Sequence, residues 1–166
     1  MTSLSGFNLY APAGSPTEYG GLGDTVWVGS LCAQHVQASG TIAKGALVLI
    51  TNGGIATSGT TTTITNAVGQ SVAKQLGVAL YAMVDGDRGI VAVGPWEKNP
   101  VDDTPITVLC ATGDLQAALQ YTTAVAGVVD DTATTKVLNL ELTADAVGTG
   151  PVLTPCRATG RLTAGT

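Results

Sequence analysis

A cysteine three residues before the only histidine, Cys32-x-x-His35, is the first pair in this sequence that could do chemistry. It could supply one edge of a zinc site, or a thiol nucleophile with an imidazole base. Neither reading closes. Zinc takes three or four protein ligands, and the remaining cysteines, Cys110 and Cys156, lie far away along the chain. On a strand, where side chains alternate, positions 32 and 35 face opposite ways.

The carboxylates are more numerous but no more specific. Asp102-Asp103, Asp130-Asp131 and Asp85-x-Asp87 all fall where Gly and Asp mark turns. Calcium uses such oxygen clusters, yet no twelve-residue loop with a central Gly and a terminal Glu occurs. The expected role is local, each Asp accepting from nearby backbone amides. A glycosidase pair would need an aromatic-lined cleft. One Phe, four Tyr and two Trp in 166 residues leave little to line it. No GxxxxGK[ST] or GxGxxG opens a helix after a strand, and Gly20-Gly21-Leu22-Gly23-Asp24 precedes the first β run. No catalytic residue, metal or cofactor is expected, and the chain reads as a non-enzyme.

Composition narrows the partners. Seven basic against twelve acidic residues give a net charge of −5, the wrong sign for neutralising phosphates, so no nucleic acid is expected. The longest apolar runs, 45–50 and 77–84, are far short of the roughly 20 residues of a membrane span, and no secretory signal opens the chain. Three cysteines are an odd number without framework spacing, which predicts buried free thiols in a protein made in a reducing cytoplasm. Only 11% of residues are charged, against about 25% in ordinary domains. A surface so poor in charge must be covered by Thr, Ser, Gln and Asn, or lie against a partner.

The elements that would carry these residues are strands. Residues 1–25 are punctuated by Gly6, Pro12, Gly14, Pro16, Gly20, Gly21 and Gly23 and read as an extended arm. Phe7, Leu9, Tyr10 and Tyr19 are its apolar anchors, expected to dock on their own globule or on a neighbouring subunit. From 26 to 166 one β-rich domain is expected. Strand signals cover 25–28, 31–36, 46–51, 55–57, 76–84, 90–93, 106–111, 124–129, 137–142 and 156–162. Asn52-Gly53-Gly54 marks a hairpin turn. Short helices are allowed at most over 66–75 and 113–120. The second half looks like a looser copy of the first, with 77–93 matching 124–142 and CATGDL at 110 matching CRATGRL at 156. The predicted fold class is all-β, a single small barrel or sandwich with an N-terminal arm.

One stretch resembles a known family. Ala38 to Val48 (ASGTIAKGALV) resembles the "G-x-I-x-x-G-x-L/V-V" opening of the capsid decoration, or cement, proteins of tailed bacteriophages. Gly77 to Val93 resembles their "GVA…GD-x-G-x-V-x-V" return. The resemblance spans about a third of the chain closely and about two thirds loosely. The arm and the tail after Thr143 have no counterpart in it. It implies a small β protein on the outer surface of an icosahedral virion, a homotrimer bound to the major capsid protein, with no catalytic residues. The competing reading from another class is a carbohydrate- or receptor-binding β module of a phage fibre or tail.

Overall fold

The computed structural model describes residues 10–11, 21–28, 31–51, 53–58, 75–99, 103–116, 118–121, 125–131 and 137–162. The fold is all-β, with twelve strands and no helix among these residues. They are β1 (Tyr10–Ala11), β2 (Thr25–Val28), β3 (Leu31–Ala38), β4 (Leu47–Thr51), β5 (Ile55–Ser58) and β6 (Gln75–Ala79). The remainder are β7 (Arg88–Ala92), β8 (Thr107–Cys110), β9 (Ala118–Tyr121), β10 (Val129–Asp130), β11 (Val137–Leu142) and β12 (Val152–Ala158).

The pairings form two rings. In the first, β3 pairs with β5, β5 with β4, β4 with β6, β6 with β7, and β7 returns to β3. In the second, β8 pairs with β10, then β9, β11 and β12, and β12 returns to β8. The order is the same in both rings. In each, the pairing of first strand with third, β3 with β5 and β8 with β10, is the only parallel one. Closing a short sheet satisfies strand edges that would otherwise be open.

The copy suspected in the sequence is therefore present, but in a different register. Aligned on the parallel pair, Ala38 beside Ala56 takes the place of Cys110 beside Val129. Then β6 and β7 correspond to β11 and β12, not to β10 and β11 as the match of 77–93 with 124–142 requires. Short Ala/Val strands look alike, so local similarity matched neighbours instead of equivalents. For the same reason CATGDL and CRATGRL are not equivalent. Their strands, β8 and β12, lie side by side in one ring.

Other expectations shift at element ends. The strand predicted over 76–84 stops at Ala79, because residues 80–87 leave the ladder for a turn region. Residues 125–127 are turn, and only Val129–Asp130 remain extended. The last strand starts at Val152, ahead of Cys156. The allowed helix over 113–120 is absent. Gln116 adopts φ 63°, and Ala118–Tyr121 is strand β9. Residues 66–74 lie outside the described residues, and Gln75 opens β6.

Alternation along these strands builds two clusters. Val36, Ala38, Val48, Ile50, Ala56, Ala79, Val91 and Val93 fill the first ring together with Ile42, Tyr81 and Met83. The Tyr81 hydroxyl sits over Gly89 and accepts the Ile90 N–H at 2.9 Å. The opposite faces carry Leu47, Leu49, Leu76, Val78, Ile90 and Ala92, which join a cluster continuous with the second ring's Val108, Leu119, Leu140 and Cys156. β4 is buried on both faces, and this is why it reads as an unbroken apolar run instead of an alternating one. One of the two clusters therefore spans both rings.

Among the described residues, backbone hydrogen bonds join the rings at two junctions, the first of which includes the Leu47 N–H donating to Gly127 O at 2.8 Å. Gly45 lies against β8, its carbonyl accepting the Leu109 N–H at 2.8 Å. With φ at 76°, and Leu109 N and Thr107 O both 3.1 Å from where a Cβ would stand, only glycine fits there. At the other place the rings exchange their exit segments. Trp96, just after β7, pairs with Ala158 of β12, and the Leu162 N–H, just after β12, donates to Val93 O at 2.7 Å.

Candidate functional site

The segment leaving the first ring borders an open recess. Trp96 is anchored by backbone bonds to and from Ala158 at 3.2 and 3.0 Å, while its indole N–H donates to Cys156 O at 3.2 Å. Beyond it the chain folds back on itself, Asn99 N–H donating to Thr104 O at 2.8 Å and Asp103 N–H to Asn99 O at 2.9 Å. Between this hairpin-like loop and β12 lies an open groove of about 860 Å³, lined by Trp96, Glu97, Lys98, Asp103, Arg157 and Thr159. A smaller recess of about 390 Å³ continues it toward Pro105 and Thr143.

Two ion pairs border the groove, and Glu97 adds a further carboxylate to its lining. Lys98 pairs with Asp103, and Arg157 reaches Glu141 through Nε at 2.9 Å and Nη2 at 2.8 Å. All four side chains are over a third exposed, so each pair contributes at most about 1 kcal/mol. Register explains why the second pair is here. Glu141 opposite Arg157 occupies the place that Val78 opposite Ala92 holds in the first ring. In the first ring that face is buried and apolar, and in the second it borders the groove and is charged. The groove thus offers two ion pairs and the Glu97 carboxylate on an open surface, with Trp96 only 3% exposed and unable to serve as a stacking platform.

The residues singled out in the sequence are scattered. Cys32 and His35 are both buried and lie on opposite faces of β3, as alternation requires. Among the described residues no three His, Cys, Asp or Glu side chains gather to hold an ion. The turn aspartates cap amides: Asp85 accepts from Gly40 N at 2.8 Å, Asp87 from Val84 N at 2.9 Å, Asp131 from Asp114 N at 3.1 Å and Asp145 from Leu115 N at 2.7 Å. Asp85 and Asp145 perform the same task in the two rings, each tying the loop after its fourth strand to the loop after its first. Of the arm anchors, Phe7, Leu9 and Tyr19 lie outside the described residues. Tyr10 is in β1, whose backbone pairs with β7 at Gly89. Sequence reading missed Glu141 and Trp27. For Trp27 the usable signal was rarity, since the chain has only two Trp.

All three cysteines are free and buried. Burial pushes the Cys156 thiol up to about 12. Burial, assisted by the charges of Asp131 and Asp130, pushes Cys110 up to about 11. Burial raises Cys32 as well, with Arg161 opposing. Such thiols are poor nucleophiles. Native protein at pH 8 is expected to react negligibly with a disulfide reagent and to release three equivalents once unfolded. Because the folded state holds these protons more tightly, the associated stability is complete below about pH 8.5, where unfolded thiols begin to ionise. It is lost as pH rises toward 11–12. Urea midpoints that stay flat from pH 8 to 11 would contradict this.

Comparison of the chain with protein-family models, with curated proteins and with solved structures found no match.

Proposed function

We propose that this protein decorates the outer surface of an assembled bacteriophage capsid and stabilises it by bridging neighbouring major capsid subunits. The observation that carries the reading is where the sequence resemblance falls. Residues 38–94 run from the last residue of β3 to just past β7 and supply the rest of the first ring, so the family-like motif coincides with a folding unit. A second ring of the same strand order widens the surface that one chain can lay across its support. The groove, whose one lining aromatic, Trp96, is buried, is poorly suited to sugar stacking, and this favours decoration over glycan binding. Copies are proposed to crowd together on the shell as homotrimers, where the charge-poor surface is partly covered.

Stabilisation would come from linkage. A protein that binds the assembled shell but not loose subunits shifts the equilibrium toward the shell. Labelled protein titrated onto bare capsids should saturate at a fixed copy number and raise the temperature at which the capsids open. With few ion pairs available, binding should tolerate salt. Binding to host cells or glycans with no affinity for capsids would overturn the proposal in favour of a receptor module.

A further inference from the structure

We propose that the outer edge of β2 pairs with the same edge of a second copy of this chain, joining two molecules about a two-fold axis. The pairing is a property of the free protein and would link neighbouring assemblies on a shell, not build them. Among the described residues, the ring closures leave open sheet edges only at β1 and β2. β2 has β3 on one side, and its other side meets no described strand. An open edge is a row of unpaired N–H and C=O groups, which proteins normally guard with Lys, Pro, a bulge or a covering element. Thr25-Val26-Trp27-Val28 has none of the first three, and no Asp, Glu, Lys or Arg occurs between Asp24 and Lys44. Trp27 is 62% exposed, while Val26, facing the other way, is buried.

The occupant follows from symmetry and charge. Across a two-fold axis each strand meets its own sequence, so any charge near the axis meets its like. An edge without charge escapes that repulsion, and it also carries no charge pattern with which to select a different partner. Backbone direction fixes the register. His35 N–H donates to Asp24 O at 2.9 Å, so Asp24 faces β3 and, by alternation, the backbone groups of Thr25 and Trp27 point outward. Antiparallel pairing centred on Val26 then sets Thr25 of each copy opposite Trp27 of the other, with four N–H···O bonds available. The two indoles become diagonal neighbours on one face, within reach of each other. The Asp24 carboxylates, each held by the Gly21 N–H at 2.8 Å, stand four residues apart along the strands, about 14 Å. That exceeds the screening length of about 8 Å at physiological salt.

Sedimentation of the full chain over micromolar to submillimolar concentration tests the pairing. The expected mass rises from 16.6 kDa toward twice that value. Trp27→Lys, on an exposed side chain, should leave the circular dichroism unchanged and weaken association at least tenfold. Hydrogen exchange supplies an independent readout: the Thr25 and Trp27 amides should slow with concentration in the natural protein and not in the variant. A monomer at every concentration, association that Trp27→Lys leaves unaltered, or β2 protection that appears only when capsids are added would each overturn the proposal. The last outcome would assign the edge to a coat strand.

Discussion

Trp96→Ala is expected to be the most damaging single side-chain truncation in this protein, costing about 3–5 kcal/mol. The side chain is 3% exposed, belongs to the cluster that joins the two rings, and its indole satisfies Cys156 O. Truncation leaves a cavity and an orphaned buried acceptor at once. In a domain of this length the loss corresponds to a fall of roughly 10 °C in the melting temperature. Gly94→Ala attacks the same junction from the backbone. Gly94 has φ at 87°, costly for any residue with a Cβ, and the new methyl would collide with the carbonyl oxygen of Gly160. Since the exit segments of both rings cross here, both variants should unfold the rings together. A thermal transition unchanged in either variant, or one in which Trp96→Ala melts only one ring, would refute the shared-core description.

Deletion of residues 2–20 is expected to have the largest effect on binding, weakening capsid attachment at least tenfold while the rings stay folded. Ordering an arm costs roughly 1–2 kcal/mol per residue in backbone entropy. Phe7, Leu9, Tyr10 and Tyr19 could each contribute on the order of 1.5–3 kcal/mol on full burial. Side-chain burial therefore holds only part of the arm, and backbone pairing has to supply more. Within one chain, Tyr10 and Ala11 already pair with Gly89 and Arg88 of β7, showing that the arm's backbone can join a strand. The deletion separates two roles. Loss of capsid affinity with an unchanged melting curve assigns the arm to the partner. Loss of stability with unchanged affinity assigns it to its own ring.

Residue types alone determined the class of this protein. Strands β2 to β7 follow directly from β-branched and aliphatic runs cut by Gly, Asn and Asp, because propensity and turn chemistry agree at each. The buried thiols were legible from the cysteine count, but of the turn aspartates only Asp87, accepting from Val84 N, acts locally, while Asp85 and Asp131 reach amides 45 and 17 residues away. Weakest was the stretch 113–130, where Ala, Leu and Gln suit helix and strand alike, and only pairing with β11 and β8 makes β9 and β10 extended.

What tertiary structure alone decided is which strands are equivalent, which faces are buried and where charge can sit. Ring closure assigns β6 and β7 to β11 and β12, a relation spread over some 65 residues that short Val/Ala motifs cannot encode. The same register places Val78 and Ala92 in the core and Glu141 and Arg157 at a groove, although all four belong to similar strands. It also leaves β2 as an open edge bearing Trp27, since a strand is an edge only when its neighbours are known. Sequence fixes the local period of a strand, but exposure depends on what the ring places on its far side, and that is a property of the closed fold.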